Sequence, residues 1–224
     1  MKKSVIAAIA LCLAQMSFAQ VSKNPGDFTK IKVFDRISVE LIPAEKTEVV
    51  VTGTRSKEVE VVNNNGELKI RMSTSKLLKG EEIEAKVYYK EIDDIDASEG
   101  SYVSSQATFK QVDINLTTKE GADIKLILDV TNADIKSVTG GKIHVSGTAS
   151  NQGISIGTGG IVEAKDLKTK TTKVSINAGG EADVNASEFV EARTKAGGTI
   201  TIYGKPAKID RKSILGGTIE DGQD

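Results

Sequence analysis

From residue 100 onward, polar and apolar residues alternate in short runs. "ADIKL" (122–126), "GKIHVSG" (141–147), "GISIG" (153–157), "KVSIN" (173–177), "EADVN" (181–185) and "GTITIYG" (198–204) all repeat with a period of two. That period belongs to a β-strand with one face buried. It predicts inward side chains at Ile143, Val145, Ile154, Ile156, Val174, Ile176, Ile200 and Ile202. Ser, Thr, Asn, Asp and Gly fill the gaps, as short turns require. No stretch carries a helical period.

Glycine sets the spacing of these runs. A turn glycine recurs at 100, 121, 140, 159, 179, 197 and 216, in steps of 21, 19, 19, 20, 18 and 19, and the last five are Gly-Gly doublets. Such regularity marks an internal repeat. A propeller blade needs about 40 residues or more, twice this period. A leucine-rich repeat has a compatible length, but residues 139–219 contain only Leu167 and Leu215. What remains is a solenoid of parallel strands, one coil per repeat, each stacked about 4.8 Å from the next.

The earlier part reads differently. "KIKVFDRISVELIP" (30–43) and "TEVVVTG" (47–53) are alternating strands. "EVEVVNNNGELKIRM" (58–72) is a hairpin turning at Asn64-Asn65-Gly66, and "EEIEAKVYYKEIDDIDAS" (81–98) leads into the first coil. Without the glycine spacing, residues 20–95 are expected to form an antiparallel β region that covers the first coil. Residues 96–219 form the β-helix coils and 220–224 a charged tail.

The first nineteen residues have the form of a signal peptide. Lys2 and Lys3 precede the apolar run Val5–Leu13, and Ser17-Phe18-Ala19 offers a small residue for cleavage. The apolar run is too short to span a bilayer. The only cysteine, Cys12, lies in this segment, and Leu11 before it does not suit a lipoprotein. Cleavage leaves a mature chain without disulfides, held by its core and backbone pairing. Removing Lys2 and Lys3 from 30 basic residues leaves 28 against 31 acidic ones, a formal charge of −3. That balance offers no general attraction for nucleic acid or anionic lipid. No later segment reads as an integral membrane span.

The order of these parts resembles a known family. The opening "FDRISV", the hairpin "VEVVNNNGELKIRM", the strand "EAKVYYKEIDDIDASEGSYV" and the glycine-punctuated coils are similar to the head GIN domain family. Its members are described as auto-transporter adhesins of mainly Bacteroidetes. The resemblance covers roughly residues 30–219. It implies an all-β, right-handed parallel β-helix (solenoid) with an N-terminal antiparallel β region, and it brings no established enzymatic function and no catalytic residue. Five residues follow Ile219. They leave no room in this sequence for the membrane barrel of an autotransporter.

Several groups invite chemistry, and each has a plainer reading. His144, the sole histidine, falls on the outer face, where Glu163 or Asp166 of the next coil approach it. Without a second histidine or a mature cysteine, a solvent-facing role is expected. Asp93-Asp94-Ile95-Asp96 lacks EF-hand spacing and reads as a charged turn rather than a calcium site. A glycosidase needs two carboxylates across a cleft; Asp123 with Asp134, or Asp166 with Asp183, could meet on one face, but any acidic sequence of this length offers such pairs. Tyr88 and Tyr89 are adjacent and point to opposite faces, so one belongs to the core. Lys165, Lys168, Lys170 and Lys173 form either a basic ridge or a solvated outer face.

The sequence therefore assigns no catalytic, cofactor-binding or metal-ligating residue and calls for no cofactor. It predicts an exported module located in the periplasm, on the cell surface or outside the cell. Its role is binding or structural and adhesin-like, with an envelope or surface glycan or protein as partner. A glycan-active lyase or hydrolase on a β-helix scaffold is the alternative.

Overall fold

The computed structural model describes residues 20–223; the predicted signal peptide lies outside them. In chain order the strands are β1 (Val21–Lys23), β2 (Lys30–Val33), β3 (Ser38–Pro43), β4 (Glu48–Thr52), β5 (Val59–Asn64), β6 (Glu67–Met72), β7 (Glu84–Tyr89) and β8 (Asp94–Ala97). Then follow β9 (Tyr102–Thr118), β10 (Asp123–Ser137), β11 (Lys142–Ile156), β12 (Gly160–Ala178), β13 (Gly180–Ala196), β14 (Thr199–Tyr203), β15 (Lys208–Ser213) and β16 (Thr218–Asp221). All are joined in one 16-stranded sheet that winds into a solenoid of about seven turns.

Each long strand is one coil bent at its middle, so the solenoid has two long faces. Face A holds the first halves, such as Lys142–Ser146, and face B the second halves, such as Asn151–Ile156. The parallel register is regular: Ile124 pairs with Ile143, and Ile135 with Ile154. All eight residues predicted to point inward are buried among the continuous core. Each such side chain, fully removed from water, is worth roughly 1.5–3 kcal/mol.

The turns stack as regularly as the strands. All seven ruler glycines, from Gly100 to Gly216, have positive φ. Glycine reaches that region without a Cβ clash. The N–H of Gly100 donates to the carbonyl of Glu120 in the next turn, at 3.0 Å. Gly121 donates likewise to Thr139 and Gly140 to Thr158, each at 3.2 Å.

Uneven glycine steps have a direct structural meaning. Between β9 and β10 the register shifts as Lys125 pairs with Ser104 but Ile127 pairs with Thr108, so two extra residues of β9 bulge out. This accounts for the 21-residue step followed by 19. A further shift between His144/Glu163 and Gly147/Leu167 puts one extra residue into β12, matching its 20-residue step.

At the N-terminal end the expected antiparallel pairing is present: β1 with β4, β4 with β7, and β5 with β6. The hairpin turns at Asn65 and Gly66, both at positive φ. Parallel pairing, however, reaches further than the sequence suggested. β6 and β7 pair in parallel with β2 and β3, which pair in parallel with β8 and β9. The coil β2–β3, earliest in sequence, is thus intercalated between two later ones. Alternation reports which face of a strand is buried, not the direction of its neighbour, so this arrangement left no mark in the pattern.

A buried carboxylate fastens this region. Asp35 and Arg36 form the turn between β2 and β3, both at positive φ. The Asp35 residue is 1% exposed. Its Oδ2 accepts the Met72 N–H at 2.9 Å and its Oδ1 the Leu78 N–H at 2.7 Å. Asp35 thereby holds the long connection between β6 and β7, which displays Leu77 and Leu78 to solvent.

Candidate functional site

A groove of about 550 Å³ lies on face A. Its floor is the start of β10 and β11, with Lys125, Ile127, His144 and Ser146 pointing outward. One wall is the β9 bulge at Ser105–Ala107. The Ser105 hydroxyl fixes this bulge, donating to the Leu41 carbonyl at 2.7 Å and accepting the Ala107 N–H at 3.2 Å. The opposite wall is β12, where Lys165 and Asp166 occupy the bulged stretch. Bulges of this kind re-aim side chains and are over-represented beside functional sites.

His144 stands at the centre, held by carboxylates of the two neighbouring coils. Its Nδ1 lies 2.9 Å from Glu163 Oε2 in β12. Its Nε2 lies 3.5 Å from Asp123 Oδ1 in β10, a poorly aligned contact to an oxygen that is otherwise buried without a hydrogen-bond partner. Burial is the main cause that pushes the Asp123 carboxyl above its ordinary value, against the pull of His144 and Lys142. Burial likewise raises Asp183, which pairs in register with Glu163 on the neighbouring coil, opposed by a hydrogen bond from Thr201 and reinforced by Glu163.

The expected approach of Glu163 to His144 is therefore realised, and Asp166 lines the same groove. Both ring nitrogens face carboxylates on opposite sides, so the three groups do not converge on one point. No group of three or more His, Cys, Asp or Glu among the described residues is arranged to hold a metal ion.

Of the carboxylate pairs, Asp166 and Asp183 both line this groove. Asp123 and Asp134 do not: Asp123 is on face A, while Asp134 is on face B beside Asn115 and Gly153. The four lysines are all exposed but wind around the coil instead of forming one ridge. Lys165 lines the face A groove, its Nζ 4.3 Å from the Tyr203 ring centroid, whereas Lys173 lies on face B. The acidic stretch is engaged in ion pairs, Asp94 with Lys30 at 3.6 Å and Asp96 with Lys119 at 2.7 Å. Tyr89 is the core member of its pair, stacked on Phe109 at 5.6 Å, and burial pushes its hydroxyl up to about 12.

Face B carries a second concavity of about 480 Å³ over Gly153, Ser155 and Ser175. It is a shallow strip of unbulged strands, and Arg193 at its rim is already occupied by Asp210 and Glu191. In the face A groove, by contrast, Lys125 and Asp166 have no side-chain partner among the described residues. The groove thus offers free groups of both signs, the hydroxyls of Tyr102, Ser104 and Ser146, and the amide of Gln106. Such a set can donate and accept hydrogen bonds to a polar ligand in one orientation.

A feature that alternation did not reveal runs along the corner between the faces. Asn132 Nδ2 donates to Asp113 Oδ1 at 2.7 Å, Asn151 Nδ2 to Asn132 Oδ1 at 2.9 Å, and Thr171 Oγ1 to Asn151 Oδ1 at 2.7 Å. The 19-residue spacing of 113, 132 and 151 was its sequence signal.

Comparison with known proteins places the chain. The family model described as "Putative auto-transporter adhesin, head GIN domain" matches residues 27–206. A "putative adhesin" from Bacteroides fragilis superposes with a TM-score of 0.82 at 18% identity, covering 93% of this chain and 98% of its own. A "putative adhesin" from Parabacteroides distasonis covers the same shares at 18% identity and a TM-score of 0.72. A "putative lipid binding protein" from that species does so at 16% identity and 0.69. At these identities the likeness is one of fold. No curated protein matches the chain.

Proposed function

The chain belongs to the head GIN domain family of auto-transporter adhesin type, and from that membership we propose that it is an exported, adhesin-like binding module of the cell envelope. It recognises a surface glycan or an extended protein segment in the face A groove and does not turn it over. The observation that carries this reading is the groove itself. Two bulged walls enclose unpaired donors and acceptors, while the group best suited to proton transfer, His144, is committed to Glu163 and Asp123.

A rigid solenoid suits such a role, because little conformational freedom is lost when a preformed surface binds its ligand. The test is a glycan array followed by titration of any glycan retained. Lys125→Ala combined with Asp166→Ala is expected to weaken binding at least tenfold while the chain length of the glycan stays unchanged. Equal retention by the variant would remove the groove from the account.

One observation favours a second reading, a glycan-active enzyme: Asp166 and Asp183 share the groove, and burial holds the Asp183 carboxyl in the direction of a general acid. That reading requires new reducing or unsaturated ends from a bound polysaccharide, abolished by Asp183→Asn.

A further inference from the structure

The two ends of the solenoid are finished by different means. At the N-terminal end the antiparallel strands β4 and β5 lie across the outermost parallel coil. At the other end, β15 pairs only with β13 and β16 only with β14, so the outer backbone edges of both are open among the described residues. An open, regularly spaced edge over an apolar core is a template for another chain.

The inward positions of this last layer break the pattern of all the coils beneath. The register aligns Ile209 with Val190 and Ile219 with Ile200, and both isoleucines pack on the core. The next inward positions are Arg211, above Ala192, and Asp221, above Ile202. Ala192 and Ile202 are buried and apolar, as are Val174 and Val184 one coil below them. Arg211 and Asp221 come from opposite faces, and the Arg211 guanidinium pairs with the Asp221 carboxylate across the mouth of the core.

We infer that this end is a latent end-to-end interface for a second copy of the chain, held shut by the inward-facing Arg211–Asp221 pair. Two copies meeting end to end would pair β15 with β15, or β16 with β16, antiparallel about a two-fold axis. Such an isologous contact needs only one self-complementary surface. The open edges of β15 and β16 leave backbone donors and acceptors for such pairing. The ion pair forbids it, because docking would strip water from two charges in each copy and their mutual attraction repays that only in part. The inference concerns residues 208–221 alone and stands apart from any ligand of the face A groove.

Sedimentation of the protein over a wide concentration range tests it. The wild type is expected to remain monomeric. Arg211→Leu with Asp221→Leu, which carries the apolar columns to the surface, is expected to self-associate at least tenfold more tightly. The charge-exchanged variant, Arg211→Asp with Asp221→Arg, keeps a pair at the mouth and is expected to stay monomeric.

The predicted mature chain has no cysteine, so Glu220→Cys in the leucine background reports the geometry by forming a disulfide between copies. If the leucine pair prevents folding, Arg211→Ala with Asp221→Ala removes the charges without added bulk and carries the same expectation at smaller amplitude. A natively folded leucine or alanine variant that stays monomeric would overturn the inference. So would association of the charge-exchanged protein to the same extent.

Discussion

Replacing Asp35 with alanine isolates the contribution of one buried carboxylate to the N-terminal coils. The side chain accepts two backbone N–H groups, at 2.9 Å from Met72 and 2.7 Å from Leu78. Hydrogen bonds to a charged group are each worth about 1.5–3 kcal/mol. The two losses are unequal. Met72 is fully buried, so its N–H is left without a partner, whereas Leu78 is 45% exposed and its N–H can turn to water. The net cost is therefore about 2–4 kcal/mol, nearer one full bond and an orphaned donor than two full bonds. For a chain of this size that lowers Tm by roughly 5–15 °C.

A second readout follows from the geometry. Leu78 sits at positive φ, and the Asp35 bond holds it there. Release should free the Lys76–Lys79 stretch, so trypsin is expected to cut the alanine variant faster than the wild type under native conditions. Asp35→Asn retains one acceptor oxygen and tolerates left-handed backbone, so less than half the loss is expected. Thermal unfolding by circular dichroism and timed proteolysis measure both effects. An alanine variant within about 0.5 kcal/mol of wild type, with unchanged cleavage, would refute the clamp, since that is the range of an ordinary surface substitution.

Two more predictions concern the turns and the groove. Gly159 has φ +66 and its nearest would-be Cβ neighbour, Gly140 N, is 4.0 Å away, so Gly159→Val meets strain but no clash. It should cost about 1–2 kcal/mol in a urea melt, clearly more than Thr158→Val at the adjacent exposed site; equal losses would remove the conformational argument. Because Asp183 is raised when folded, its ionisation opposes the fold: stability falls as pH rises from the ordinary value of 3.8 through the folded value, and the penalty persists above it. Asp183→Asn should flatten that part of the profile and leave the protein at least as stable at neutral pH, whereas parallel melting curves from pH 4 to 7 would exclude the effect.

Much of the architecture could be read directly. Seven glycines located the turns, and the alternation of residues such as Ile154 and Ile156 located the core, because both follow from local backbone constraints. Even the bulges were present in the uneven steps of 21 and 20 residues, although only the register shifts at Lys125/Ile127 and His144/Gly147 attach those steps to a place on the surface. Pairing direction at β2, β3, β6 and β7 was not legible, since it depends on which strands meet. That Asp166 and Asp183 line one groove, while Asp123 and Asp134 lie on different faces, depends on how far each residue lies from a coil corner. Composition says nothing of that distance.

The intercalation of β2–β3 sets the order in which the molecule can mature. A chain emerging amino end first presents these strands early, yet their neighbours on both sides arrive only with residues 67–104. The opening third cannot complete its parallel pairing until that stretch has emerged. Every later coil can add to that seed one lap at a time.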